Sequence, residues 1–186
     1  MKRSSLFYLH QRAGAQFAER HGWEMPLSFT SPESEESQVR ERVGLTDLSW
    51  RRKFDTKTEP PKPFWLLGKN HYLVVGEPPL DPLSGATDVT SVYADLFLAG
   101  PWSKAVLGKL TSLNVSDARL PNLSCAQANL AHVHTIVLHE DIGLIPGFHL
   151  LVSREYGESV WEAIVHAGHE FHLQPFGLGA LERLRN

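Results

Sequence analysis

Cysteine is nearly absent: Cys125 is the only one among 186 residues. One thiol cannot close an internal disulfide, which points to a reducing, cytoplasmic setting. Long apolar runs are missing too. Nothing comes near the ~20 residues a membrane helix needs, and the segment after Met1 is interrupted by His10, Gln11 and Arg12 before it could form a signal-peptide core. No charge of one sign dominates, since 18 Lys and Arg stand against 21 Asp and Glu for a net charge of −3. Nucleic-acid binding draws on cations gathered on one face, so this balance argues against it. There is no glycine-rich phosphate loop, no Gly-x-Ser-x-Gly elbow, no repeat and no low-complexity tract.

What is present suits one globular unit over residues 1–186, with 42% apolar and 21% charged residues. Ser4 and Ser5 are positioned to cap a helix whose stripe runs Leu6, Leu9, Ala13, Phe17, with Gly22 as its stop. Ser31-Pro32 opens a second helix. Glu33, Glu35 and Glu36 lie near its positive end, Arg40 and Arg42 near its negative end, and Gly44 beyond; these charges read as a solvated face. Residues 53–58 and 71–75 read as strands separated by proline and Gly68-Lys69-Asn70 turns, and 76–86 as a loop. Val92, Ala94, Leu96 and Leu98 alternate with Tyr93, Asp95 and Phe97, the pattern of a strand buried more on one face. Gly100-Pro101 starts a helix expected to turn Trp102, Val106, Leu107 and Leu110 inward. Residues 126–138 predict one or two strands, 148–152 another, and 155–167 a helix with Val160, Trp161, Ile164 and Val165 inside. The order is α+β, a mainly antiparallel sheet with helices on one face.

Residue chemistry alone names no enzyme class. His166, His169 and His172 recur by threes, and His132 and His134 would share a strand face, but Gly168 separates the first set and the second lacks a third ligand. No metal site is expected, and the histidines read as solvated or capping. Cys125 has no adjacent cation to activate it and reads as a buried structural thiol. Asp47, Asp55, Asp88 and Glu140 are available for acid–base work, though nothing in the chain order pairs them.

Three stretches carry a resemblance. Residues 6–27, closing in Gly22-Trp23-Glu24-Met25-Pro26-Leu27, and then Glu41-Arg42-Val43-Gly44-Leu45-Thr46-Asp47-Leu48-Ser49, resemble the opening of the glycine-cleavage T-protein family, the tetrahydrofolate-dependent aminomethyltransferases. Asp88-Val89-Thr90 through Phe97-Leu98-Ala99-Gly100-Pro101 to Ser124-Cys125-Ala126-Gln127 is similar to the gamma subunit of heterotetrameric sarcosine oxidase, of the same superfamily. Gly147-Phe148, Leu150-Leu151-Val152, Trp161-Glu162-Ala163 and Gly177-Leu178-Gly179-Ala180 to Leu184-Arg185 resemble the end of the folate-binding region of both. The resemblance implies a folate-binding domain of the aminomethyltransferase type, without the family's C-terminal domain.

It also implies losses. The family's catalytic aspartate lies on a segment that is deleted here, where Thr58 passes through prolines to Phe64-Trp65-Leu66-Leu67, so no catalytic residue is assigned. The pterin-binding glutamate of the family's Tyr-Thr-Gly-Glu run falls within 142–145, where this chain is aliphatic. Trp50-Arg51 replaces a histidine-methionine pair, and Leu181 replaces an arginine, while the later arginine is kept as Arg185. The resemblance therefore implies a catalytically reduced accessory subunit with a larger protein partner or oligomer. Its alternative is a tetrahydrofolate-binding transferase with a rearranged site, in which Arg51, Arg185 and Trp50 would contact the cofactor.

Overall fold

In chain order, the computed structural model, which describes residues 1–80 and 84–186, contains β1 (Lys2–Arg3), α1 (Phe7–Arg12), β2 (Gln16–Arg20), β3 (Trp23–Ser28), α2 (Pro32–Glu41), β4 (Gly44–Asp47), β5 (Arg52–Thr56), β6 (Trp65–Gly68), β7 (His71–Gly76), β8 (Thr87–Asp88), β9 (Tyr93–Ala99), α3 (Ser103–Leu110), β10 (Cys125–Leu130), β11 (Val133–His139), β12 (Gly147–Ser153), α4 (Gly157–Gly168), β13 (Gln174–Pro175) and α5 (Leu178–Arg185). The central sheet runs β10-β11-β12-β9-β4-β13 and is antiparallel except where β13 joins β4. Two smaller sheets, β1-β3-β2 and β6-β7-β5-β8, accompany it. The α+β class with a mainly antiparallel sheet is as the sequence implies. Part of the expected 76–86 loop, residues 81–83, lies outside the described residues.

Period-two alternation decides what each face of the central sheet covers. Ala94, Leu96 and Leu98 of β9 and Phe148, Leu150 and Val152 of β12 pack against Val106 and Leu107 of α3 and Val160, Trp161 and Ile164 of α4. The opposite face carries Asp95 and Phe97 beside Leu151 and His149, their partners across the ladder. That second face is covered as well, which buries β9 from Ala94 to Ala99 rather than on one side. Gly100, at φ +131°, then lets the chain turn into α3, and a Cβ there would press on the Arg42 carbonyl and the Val43 backbone.

Several local expectations change. The first helix stops at Arg12, because Gly14 adopts φ +81° and the Ala13, Gly14 and Ala15 N–H groups return to the Leu9, Gln11 and His10 carbonyls. Phe17 is therefore on β2, its ring 4.7 Å from that of Phe7, and Gly22 with His21 makes the two-residue, positive-φ turn of the β2–β3 hairpin. His132 lies in the equivalent β10–β11 turn at φ 67°, not on the strand with His134. Trp102 sits just before α3, 43% exposed and stacked on Phe171, and Val165 faces outward on α4.

The Ser31-Pro32 start of α2 is as expected, with Ser31 Oγ accepting from the Ser34 N–H at 3.2 Å. Its charges are not all solvated. Glu35 is buried and its carboxylate accepts from the backbone N–H groups of Phe29 (2.6 Å), Thr30 (2.7 Å) and Gly177 (2.8 Å). One side chain thus ties the end of β3, the start of α2 and the entry to α5. Glu35→Ala leaves three backbone donors without an acceptor and is expected to lower unfolding free energy by about 3 kcal/mol, with Glu35→Gln costing less, as read by urea denaturation.

Candidate functional site

The turn from β4 to β5 builds the interior of the site. Leu48 N–H donates to the Asp95 carbonyl at 2.8 Å, and Asp95 N–H donates to Ser49 Oγ at 3.1 Å. Ser49 in turn donates through its hydroxyl (2.5 Å) and its N–H (3.0 Å) to Asp47, whose other oxygen meets His10 Nε2 at 3.2 Å. Burial opposes the charged form of Asp47, but the hydrogen bond and charge of His10 and the hydroxyls of Ser4 and Ser49 hold its carboxyl below the usual range.

Beneath that turn lies a buried charge chain. Lys53 is fully enclosed; its ammonium donates to the carbonyls of Arg51 (2.8 Å) and Ser49 (3.3 Å) and lies 3.8 Å from Asp95 Oδ2. Burial pushes the Lys53 ammonium down to about 8, despite the favourable charge of Asp95. Asp95 Oδ1 contacts His149 Nδ1 at 2.9 Å. His149 Nε2 then lies 2.9 Å from Arg51 Nη1 and 3.2 Å from Glu140 Oε2. Two arrangements are open to this ring: with a proton on Nδ1 alone, Nε2 accepts from Arg51, and with both nitrogens protonated, Nε2 donates to Glu140. Burial works against the Asp95 anion, yet the charges of His149 and Lys53 keep its carboxyl below the ordinary range.

The chain surfaces in a pocket of about 390 Å³. Arg51 and Glu140 supply its charged lining with Lys62 at the edge, and Phe64, Trp65 and Val75 supply apolar walls. The His149 hydrogen bond, outweighing burial and aided by Arg51, holds the Glu140 carboxyl down to about 2. A larger groove of about 830 Å³ runs over α1 and α4, but its charged residues, among them Arg12, Lys109, Glu162 and Glu170, are all exposed. The smaller pocket is the candidate site because buried, mutually oriented charges open into it.

Of the residues singled out from sequence, Arg51 lines this pocket. Arg185 pairs with Glu77 and is near enough for its charge to act on Glu140. Trp50 lies one residue away but is buried in an apolar cluster, its ring stacked on His21 at 5.4 Å. Cys125 is half-buried, its Sγ donates to the Leu66 carbonyl at 3.1 Å, and burial pushes the thiol up. The four carboxylates find separate partners: Asp47 with His10, Asp55 with His71, Asp88 with Arg52, and Glu140 with His149. No three His, Cys, Asp or Glu residues among the described residues gather as metal ligands. The sequence reading missed Lys53, Asp95 and His149. A polar residue inside an otherwise apolar strand was the available signal, at Asp95 within β9 and His149 within β12, since buried charges come paired.

Residues 72–186 match the family described as the GCVT N-terminal domain. An aminomethyltransferase of Geobacillus kaustophilus (strain HTA426) is 30% identical over 232 residues, covering 100% of this chain and 64% of that protein. One from Halothermothrix orenii is 27% identical with the same coverage. The chain thus spans 64% of the length of these curated relatives. Among solved structures, the glycine cleavage system aminomethyltransferase T of Bartonella henselae superposes with a TM-score of 0.76 at 17% identity, over 99% of this chain and 62% of that one. A chain of heterotetrameric sarcosine oxidase from Corynebacterium sp. U-96 superposes with a TM-score of 0.65 at 14% identity, over 91% of this chain and 96% of that one. No helix of the described residues is long and apolar enough to cross a membrane.

The buried charges set a pH signature. Lys53 holds its proton less firmly folded (about 8) than unfolded (10.5), so between those values the unfolded chain binds more protons and stability rises with pH. The gain is roughly 3 kcal/mol at most, and it is expected to vanish from the urea-unfolding profile of Lys53→Met. Glu140 has the opposite flank: its folded value near 2 against 4.5 unfolded means that its stabilisation is present above pH 4.5 and is lost as pH falls toward 2. Glu140→Gln should flatten that acid limb, measured by the same titration.

Proposed function

The chain belongs to the GCVT N-terminal domain family, and from that membership we propose that it is a catalytically reduced aminomethyltransferase-family protein, an accessory subunit in tetrahydrofolate-linked one-carbon or amine metabolism of the glycine or sarcosine type. The observation that carries this reading is Ile145. It falls in the stretch where the resemblance puts the pterin-binding glutamate, and it is buried in the apolar cluster of Trp23, Met25, Phe97 and Phe176. It closes a turn with Ile142, while Leu144 at the tip is fully exposed. An aliphatic side chain accepts nothing from a pterin's paired donors, and each donor left unpaired costs about 1–3 kcal/mol.

The cations fit a folate no better. Arg51 is engaged by His149 and Glu140, and Arg185 by Glu77, so each would have to leave an internal partner to hold a glutamyl tail. Trp50 is enclosed. The residues present therefore do not fit tetrahydrofolate. The relatives' matching span of 232 residues against 186 here supports the loss of an internal segment, on which the resemblance places the catalytic aspartate. Residues 1–186 act, on this proposal, as one unit of the folate-binding type whose larger partner carries the chemistry. The superposition on a chain of a heterotetrameric sarcosine oxidase supports a subunit role.

Titration calorimetry with tetrahydrofolate is expected to give no heat at sub-millimolar ligand; saturable heat would favour a transferase with a rearranged site. Purification from the source cell should retain a larger oxidase subunit or lipoyl carrier at fixed stoichiometry. Elution as an unaccompanied monomer under the same conditions would count against the accessory role.

A further inference from the structure

Two leucines near the mouth of the pocket stand where solvent disfavours them, and at one the backbone does so as well. Leu123 is 74% exposed and takes φ +62°, a conformation suited to glycine or asparagine. Leu144 is wholly exposed at the tip of the turn that Ile142 and Ile145 close, beside Gly143 at φ +61°. The two turns are pinned to each other. The Asn122 carboxamide oxygen accepts from the Leu123 N–H at 2.9 Å and from the Asp141 N–H at 3.0 Å, and the Leu123 N–H also reaches the His139 carbonyl at 2.8 Å. Leu123 extends the apolar lining of Pro63, Phe64, Trp65 and Val75. A lone exposed leucine is ordinary surface, but two on linked turns next to an apolar pocket form a contact face that is ordered before anything binds.

Chain length and charge limit what covers this face. The relatives' matching span is 232 residues against 186 here, and the resemblance puts the shortening between Thr58 and Phe64. That connection borders the pocket through Lys62, Pro63 and Phe64, so the surface a longer one would lie over is open. Its charge is positive. Residues 57–69 carry Lys57, Lys62 and Lys69 against Glu59 alone, and the lysine ion pairs among the described residues belong to Lys53, Lys104 and Lys109 instead. The acids nearest the leucines, Glu140 and Asp141, are taken up by His149 and His139. We propose that this face docks the larger partner subunit, which lays an apolar segment carrying Asp and Glu over Leu123, Leu144 and the pocket mouth in place of the missing connection. The inference rests on the accessory reading and names the surface that reading requires.

The complex purified from the source cell is the material, and its dissociation on dilution is followed by mass photometry. Leu123→Asp combined with Leu144→Asp is expected to weaken it at least about thirtyfold without lowering Tm, because both side chains are exposed. Tyr8→Asp, at an exposed position on α1, should leave it unchanged. Lys62→Glu with Lys69→Glu should weaken it severalfold, as should raising the salt, and both lysines should be protected from acetylation in the complex and reactive in the free chain. A partner held equally by the wild type and the double leucine variant would overturn the docking face while the accessory reading stands. A wild-type chain that elutes alone would overturn that reading and this inference with it. Self-association abolished by the same leucine substitutions would assign the face to a second copy, and a complex strengthened by the glutamates would exclude an acidic segment; either result overturns the proposal.

Discussion

Enclosing the Asp95 carboxylate is the constraint around which the molecule is arranged. A carboxylate in the middle of a central strand, sealed on both faces, is tolerable only if cations and donors converge on it. His149 from the neighbouring strand and Lys53 from the smaller sheet supply them, while its backbone N–H and carbonyl hold the turn at Leu48 and Ser49. The same residue thus fixes the spacing between two sheets and the path of the chain entering β5. Removing its partners would leave a buried anion, so the charges here act as a unit.

Function in this family lives in the site rather than in the scaffold, and the resemblance puts this chain's departures at the site. Its α+β frame is that of the aminomethyltransferase folate-binding domain, as the superpositions show. Where the resemblance calls for a glutamate, an isoleucine has joined the core; where it calls for a methionine, Arg51 ends a chain of ionised groups that opens into a small pocket.

Much of the frame was legible in the sequence. The Ser31-Pro32 helix start, the strand at β9 and the Val160, Trp161 and Ile164 side of α4 each rest on local physics, caps and periodicity, that survives folding. The misjudged elements share a cause. Gly14, His21, Ala131 and His132 take positive φ and turn the chain where apolar spacing alone suggested continuation. Glu35 looked like a solvated helix charge because its three donors come from residues 29, 30 and 177, two of them preceding its own helix and the third far along the chain.

By itself, the sequence determined the fold class and the family resemblance, because these follow from local pattern and residue identity. Only the tertiary structure decided that Arg51, Lys53, Asp95, Glu140 and His149 form one connected system. They lie on β5 and its preceding turn, on β9, on β12 and just after β11, and pairing within the central sheet together with the packing of the smaller sheet against it brings them into contact. Charges far apart along the chain couple only when the fold excludes the water that would otherwise screen them, and that exclusion is a property of the packed sheets rather than of any one segment.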